Sequence, residues 1–452
     1  MVGEAKATMF DTLITGGMVV NASGQLPADI GILDGRVVAL LAPGEPAMAR
    51  GFINASGKMV LPGLVDAHVH LREPGMTQKE DFESGTHAAA LGGVTTILDM
   101  PTDDPWTATA QQLSDKMASA AGDIHVDVGF QAVVSKSYDS LEDLLALSPV
   151  SLELFTADVP VDYRFDSLDA VTEMLRRLAG TGAVIGVSPG DQSIIEGAGL
   201  RERSVGVPAF LASRPPLAEA GGIARAVLAA AETGARVHVR QINSRLGVET
   251  WRRLRSMADV TVETTPQNLF FTSDDYETEG ARLKGSPPFR GRDDVAALRR
   301  AVSEGLITIM ATDHAPHSPA EKSAVYGSFA DIPGGMPGLQ TLLSVMLDLV
   351  AEKVIGLSDL VRICAYNPAH RFGLGRSKGS IAVGSDADIL IVDIDRSAVI
   401  TNTEQASRAA YSPFHGKRTA GRLTDVFLRG ARIVKDGTLI NPRRGQVVRR
   451  TA

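Results

Sequence analysis

Two kinds of hydrophobic patterning divide the chain. Near both ends, short β-rich runs alternate with tight turns. Thr12–Asn21 turns at Gly16-Gly17, and Asp29–Leu40 reads as a hairpin about Asp34-Gly35. At the other end, Ala387–Asp393 and Val426–Val434 read as strands, and Lys435-Asp436-Gly437 closes a turn. These two β-rich ends predict one small β-sandwich domain formed from both termini. Between them, apolar strand candidates fall near 64–70, 94–99, 125–131, 149–155, 183–188, 235–242, 259–263 and 307–313. Helical patterns lie between most of them, among them Asp81–Leu91, Ala108–Ala121, Ser167–Ala179, Ala218–Thr233, Asp293–Glu304 and Gly338–Glu352. Eight strands alternating with helices predict an α/β fold, a (β/α)8 TIM barrel. The division expected is residues 1–58 for the N-terminal part of the sandwich, 59–377 for the barrel and 378–452 for the C-terminal part. A doubly wound open sheet is the competing arrangement, but no glycine-rich dinucleotide fingerprint follows a strand.

The chemistry lies where strands end. Strand one runs into Asp66-Ala67-His68-Val69-His70-Leu71-Arg72-Glu73-Pro74-Gly75. Side chains alternate along a strand, so His68 and His70 point the same way and can share one metal ion. Strand eight ends in Thr312-Asp313-His314-Ala315-Pro316-His317. Strands one and eight are neighbours in a closed barrel, and catalytic groups gather at the carboxyl ends of barrel strands. His68, His70 and Asp313 are therefore expected at one point.

Composition narrows the classes. Of 452 residues, 44% are hydrophobic and 22% charged, as in a globular protein, and the net charge is −8 with scattered basic residues. Nucleic-acid binding is not expected, and no apolar run reaches membrane-spanning length. Met1–Lys6 lacks the apolar core of a signal peptide, and the single cysteine, Cys364, excludes an internal disulfide framework. A cytoplasmic protein is the expectation.

The residues resemble the cyclic amidohydrolases of the amidohydrolase superfamily, the dihydroorotases, allantoinases and hydantoinases. Pro62-Gly63-Leu64-Val65-Asp66-Ala67-His68-Val69-His70 matches the opening of that family. Arg72–Gly75, Lys79-Glu80, Glu83–Thr86 and Thr312–His317 with Lys322 look most like dihydroorotase, while Leu98–Pro101 leans toward allantoinase. Ser412–Gly416 and Gly379–Asp388 are family-like tail signatures. The resemblance implies a small cyclic substrate, divalent metal and a homodimer or homotetramer. It also implies that Arg72 and His317 contact a carboxylate on the substrate.

Departures from the family pattern are as informative. Where members carry a carboxylated lysine or an aspartate at the end of strand four, this chain has Glu153, a candidate fourth ligand. Ser188 and Gln241 stand where histidines are usual on strands five and six, and Gln267-Asn268 replaces a histidine pair. A family asparagine is replaced by Thr102 and Asp103, which leaves carboxylate recognition incomplete and argues against dihydroorotate itself. With these imidazoles lost, one ion is expected, held by His68, His70, Asp313 and Glu153. The donor set suits Zn2+, with Mn2+ also compatible. Gln241 is a candidate for a weak contact to the ion, its water or the substrate. The reaction implied is hydrolytic opening of a cyclic amide, imide or ureide ring, Asp313 moving the proton. The alternative is a catalytically silent dihydroorotase-like subunit that scaffolds a partner such as a carbamoyltransferase. A deaminase-like or metal-free activity is a third reading.

Overall fold

The structure, a computed structural model, describes residues 9–138 and 141–451. The Met1–Lys6 stretch read above lies outside them. Eight parallel strands form the centre: β1 Leu64–Val69, β2 Val94–Asp99, β3 Asp127–Phe130, β4 Leu152–Phe155, β5 Val184–Ser188, β6 Arg236–Val239, β7 Val260–Thr264 and β8 Ile309–Met310. Each pairs in parallel with the next. The step from β3 to β4 is made by Ala132–Val133, just beyond β3. The ring closes where Val69 bridges His314 and the His70 amide donates to the His314 carbonyl at 2.8 Å. This is the expected TIM barrel.

Strands β1 to β4 are buried at every position. That is the consequence of a parallel sheet covered on both faces, and it explains their near-continuous apolar runs. The helices form where apolar spacing and caps coincide. In Leu168–Leu178, Val171, Met174, Leu175 and Leu178 form the buried stripe, Ser167 caps the start, and Arg176 and Arg177 fall in the last turn. Fully burying each of those aliphatic side chains contributes roughly 1.5–3 kcal/mol. The helix Pro216–Thr233 ends on Gly234, whose φ of 72° is the left-handed closure glycine tolerates best.

The termini build two facing sheets. One holds 9–15, 29–33, 36–41 and 48–54; the other joins 18–21, 24–27 and 59–62 to 389–393, 422–428, 431–435 and 438–439. Ile14, Ile30, Ile32, Val60, Ile389 and Phe427 share their core, so this is the expected sandwich from both ends. Met59–Pro62 pairs with Ile389–Val392 in that sheet, so the strand just before β1 belongs to the sandwich pairing. The barrel is tied to the C-terminal segment by charge. Lys378 Nζ lies 2.6, 2.7 and 3.0 Å from Asp127, Asp388 and Asp386, and Arg429 adds a second contact to Asp127. Among the described residues, no helix is long and apolar enough to cross a membrane.

Candidate metal centre

β1 delivers Asp66, His68 and His70 to one side of the barrel, as period two requires. The rings of His68 and His70 lie 5.4 Å apart. Their Nε2 atoms lie 3.3 and 3.2 Å from the same Asp313 oxygen. The other nitrogen of each ring is held from behind. His68 Nδ1 donates to Glu263 at 2.5 Å, and His70 Nδ1 is hydrogen bonded to Thr102 at 2.8 Å. These outer partners turn both Nε2 atoms toward Asp313, the arrangement that orients imidazole ligands in metal sites. Asp66 braces the other end, accepting from the Thr312 amide at 3.0 Å and the Thr312 hydroxyl at 2.5 Å.

Backbone geometry sets the remaining directions. Asp313, Gln241 and Arg72 have φ of 46°, 44° and 62°. Non-glycine residues rarely adopt this left-handed region, and such strain is held where the surroundings over-determine it. It also explains why β6 and β8 stop short of the extents expected from the sequence. Each strand is interrupted where a side chain must turn to the centre. Gln241 then donates from its amide to the second Asp313 oxygen at 2.5 Å.

Burial and charge set the protonation states. Burial pushes the Asp313 carboxyl up, but His68 and His70 outweigh it and hold the pKa below the usual range. Burial, with Arg72 nearby, pushes His70 down to about 3, so this imidazole is neutral, as coordination requires. His68 is moved the other way: burial is outweighed by Glu263 and Asp313. One ligand atom from each of His68, His70 and Asp313 fits within 4.8 Å of the others. Two imidazole nitrogens and a carboxylate oxygen fit a divalent ion such as zinc.

Glu153 is not part of this group. Both its oxygens are taken by the Arg240 guanidinium, at 2.7 and 3.2 Å, and Oε1 also accepts from Ser151 at 2.8 Å. Its oxygens are turned to Arg240 and Ser151, and it is not among the residues whose ligand atoms converge with His68 and His70. Gly186, on the neighbouring strand, makes room for it; a Cβ there would sit 2.2 Å from Glu153 Oε2.

Above the triad lies a cavity of about 230 Å³, bounded at one end by His68, His70, Gln241 and Asp313. Its walls are largely apolar, with Met100, Phe155, Val159, Ile195, Pro215 and Pro287 among them. Two arginines on its lining lie beside carboxylates. Arg214 pairs with Asp158 at 2.9 Å, and Arg290 lies 4.0 Å from Glu219. Arg72 and His317, expected against the substrate, do not line it. The left-handed turn at Arg72 carries the chain off the β1 direction, and His317 is engaged by its own loop, Nε2 donating to the Gly334 carbonyl at 3.0 Å. Yet Arg72 Nε and His317 Nδ1 are both buried without a hydrogen-bond partner.

Other residues take structural places. His314 lies between Glu80, at 3.2 Å, and the Gly338 amide, at 3.1 Å. Asp103 is 3% exposed and pairs with Lys116 at 2.6 Å. Cys364 is buried, and burial pushes its thiol pKa up, away from reactivity. Sequence reasoning missed Glu263 and Arg240, which support the site from within. The signal was there: in Val237-His238-Val239-Arg240, alternation puts His238 and Arg240 on one face, and both contact Glu263 Oε2, at 2.9 and 3.1 Å.

The family model described as "Amidohydrolase family" matches residues 59–433. The allantoinase of Deinococcus radiodurans is 33% identical over 449 residues, covering 97% of this chain and 98% of its own. The dihydroorotase of Halobacterium salinarum is 35% identical over 433 residues, covering 93% of this chain and 99% of its own. Among solved structures, the L-hydantoinase (dihydropyrimidinase) of Arthrobacter aurescens superposes with a TM-score of 0.94 at 31% identity, covering 98% of this chain and 100% of its own.

Proposed function

The chain belongs to the amidohydrolase family, and we propose that it hydrolyses the ring of a cyclic amide, imide or ureide with one divalent ion, zinc or manganese, held by His68, His70 and Asp313. The coarser statement needs no proposal: similarity over nearly the whole length to an allantoinase, a dihydroorotase and hydantoinases makes it a cyclic amidohydrolase that cleaves C–N bonds. The observation that carries the finer reading is the convergence of two imidazole Nε2 atoms on one Asp313 oxygen, each imidazole held from behind.

A divalent ion bound there supplies Lewis acidity, polarising the scissile carbonyl and lowering the pKa of water from about 16 toward about 7. Asp313, kept ionised by the imidazoles, takes the proton of the attacking water. It then returns that proton to the ring nitrogen, so the C–N bond breaks with a neutral N–H leaving group. Gln241 orients the carboxylate for both transfers. The apolar walls exclude bulk water from the reacting carbonyl, and they favour a neutral ring with an apolar substituent. A second reading, an anionic ring, is favoured by the buried Arg72 Nε, a donor without a hydrogen-bond partner.

One set of assays tests these readings. Ring opening is measured with zinc or manganese on hydantoins carrying apolar substituents, dihydrouracil, allantoin and dihydroorotate. The apolar hydantoins should turn over fastest. Preference for dihydroorotate selects the anionic reading, and no turnover of any ring selects the silent scaffold. Assembly as a homodimer or homotetramer and a cytoplasmic location belong to the same proposal; sedimentation and cell fractionation test them.

A further inference from the structure

Inside the barrel, beside the candidate metal centre, one buried arginine is surrounded by oxygen atoms. Arg240 is fully buried, at 0% exposure. Its guanidinium donates to five oxygen atoms: both oxygens of Glu153 at 2.7 and 3.2 Å, Glu263 Oε2 at 3.1 Å, Gln131 Oε1 at 2.6 Å and the Ala67 carbonyl at 2.9 Å. Two carboxylates, an amide oxygen and a main-chain carbonyl are the hard donors that hold cations such as magnesium or calcium. Here the positive charge is covalent. The cage is also wired to the metal centre, because Glu263 offers Oε2 to Arg240 and Oε1 to His68 Nδ1 at 2.5 Å. The path Glu153–Arg240–Glu263–His68 is a continuous run of charged hydrogen bonds within the barrel.

We propose that Arg240 is a built-in second cation. It fills the oxygen cage beside the metal centre, so that the centre takes one ion, and it anchors Glu263 so that His68 presents Nε2 to that ion. Arg240 is thus a positioning residue, acting on the ion through two intervening side chains. Its planar fork suits this task, since it engages both carboxylates at once. The inference rests on the reading that His68, His70 and Asp313 hold an ion.

The test reads metal rather than turnover. Wild type, Arg240→Met, Arg240→Lys, Arg240→Gly and His70→Ala are stripped of metal and titrated with cobalt(II). Ions per chain, affinity and the visible absorption of the bound cobalt are measured. Wild type should bind one ion. Arg240→Met should lose 10–100-fold in affinity, the usual cost of removing an outer partner of a metal ligand, and its cobalt spectrum should shift. Arg240→Lys should fall between the two. Arg240→Gly should recover affinity when methylguanidinium is added, which covers the case in which the methionine variant does not fold. Wild-type affinity and an unshifted spectrum in folded Arg240→Met, or no recovery in folded Arg240→Gly, overturn the inference. So does a wild type that binds two ions. His70→Ala separates the two levels. If it binds cobalt as wild type does, or wild type binds none, the metal-centre reading fails and this inference falls with it. If His70→Ala loses the ion while Arg240→Met keeps it, this inference alone fails.

Discussion

Two places among the described residues bring three potential cation ligands within 4.8 Å of one another: His68, His70 and Asp313 at the barrel mouth, and Asp127, Asp386 and Asp388 where barrel and sandwich meet. Distance alone does not separate them; charge balance does. The three aspartates surround Lys378 Nζ, which they hold at 2.6 to 3.0 Å, and Burial of Lys378 is outweighed by Asp388 and Asp127, so the ammonium stays charged. At the barrel mouth, no described lysine or arginine forms an ion pair with Asp313; the two imidazoles and the neutral Gln241 amide reach it. The aspartate cluster is closed by the chain, and the barrel-mouth cluster leaves its ligand atoms for something else. A buried cluster whose charge the chain completes is structure, and one left open is a candidate site.

The largest effect should come from the open cluster. Asp313→Asn keeps the shape but loses the charge and the proton acceptor. Ring opening should fall by about 10²–10⁴-fold, the range of general acid–base contributions, and further if the ion is also lost. The melting temperature should change little, because no part of the core is removed. Activity within a few-fold of wild type would take Asp313 out of the proton transfer.

Lys378→Met breaks the closed cluster and should do the reverse. Removing one partner from a buried ion network leaves uncompensated carboxylates and costs roughly 3–5 kcal/mol. The denaturation midpoint should drop while kcat/KM below it and the metal content stay at wild-type values. If open charge is what defines a site, this variant should also regain stability with added calcium or magnesium. Loss of metal from Lys378→Met would show that the clusters are not independent.

The contrast also explains what the sequence disclosed. The barrel was legible because parallel strands buried on both faces leave apolar runs separated by helical periods. His68 and His70 were legible from period two. Asp313 was legible because barrel closure makes the last strand neighbour the first. Glu153 misled because its strand position was right but its partner lies 87 residues on, and only packing brings Arg240 to it. Arg240 itself was hidden by its neighbour. With Gln241 taken as inward-facing, alternation places His238 outward. The φ of 44° at Gln241 breaks the period, so His238 and Arg240 reach Glu263 while Gln241 still reaches Asp313. A single left-handed residue lets all three side chains reach the centre, and a pattern of hydrophobic and polar letters does not record it.

Glu219 stands between the two cases. Its Oε1 is closed, accepting from the Asn243 amide and from the Ser244 amide and hydroxyl at 3.1 to 3.2 Å, while Oε2 is buried without a partner. Burial, partly offset by Arg290, raises its pKa to about 7. The sign follows from proton uptake. Between about 4.5 and 7 the unfolded chain has released this proton and the folded chain still holds it. The contribution to stability is therefore complete below about 4.5 and is lost as pH rises through 7, on the order of 3 kcal/mol in all. Glu219→Gln should remove that downward slope from the stability profile measured by denaturant unfolding. An unchanged slope would mean that Glu219 is ionised throughout and that Arg290, 4.0 Å away, closes its charge after all.

Arg72 supplies the finest test, because it is an open cation rather than an open anion. The residue is 8% exposed, its Nε has no hydrogen-bond partner, and it feels Asp313 and Asp103 without pairing with either. If that opening awaits a substrate carboxylate, lysine should serve it poorly, since an ammonium cannot reproduce the two-pronged contact of the planar fork. Arg72→Lys should then raise KM for carboxylate-bearing rings by about tenfold, roughly the 1.4 kcal/mol of one charged hydrogen bond. Neutral rings should keep their KM, and kcat should hold for both. An equal loss for acidic and neutral rings would give a different meaning to the unpartnered Nε. Arg72 would then act on Asp313 through its field, and the rule that open charge marks a ligand would hold for carboxylates and imidazoles but not for this guanidinium.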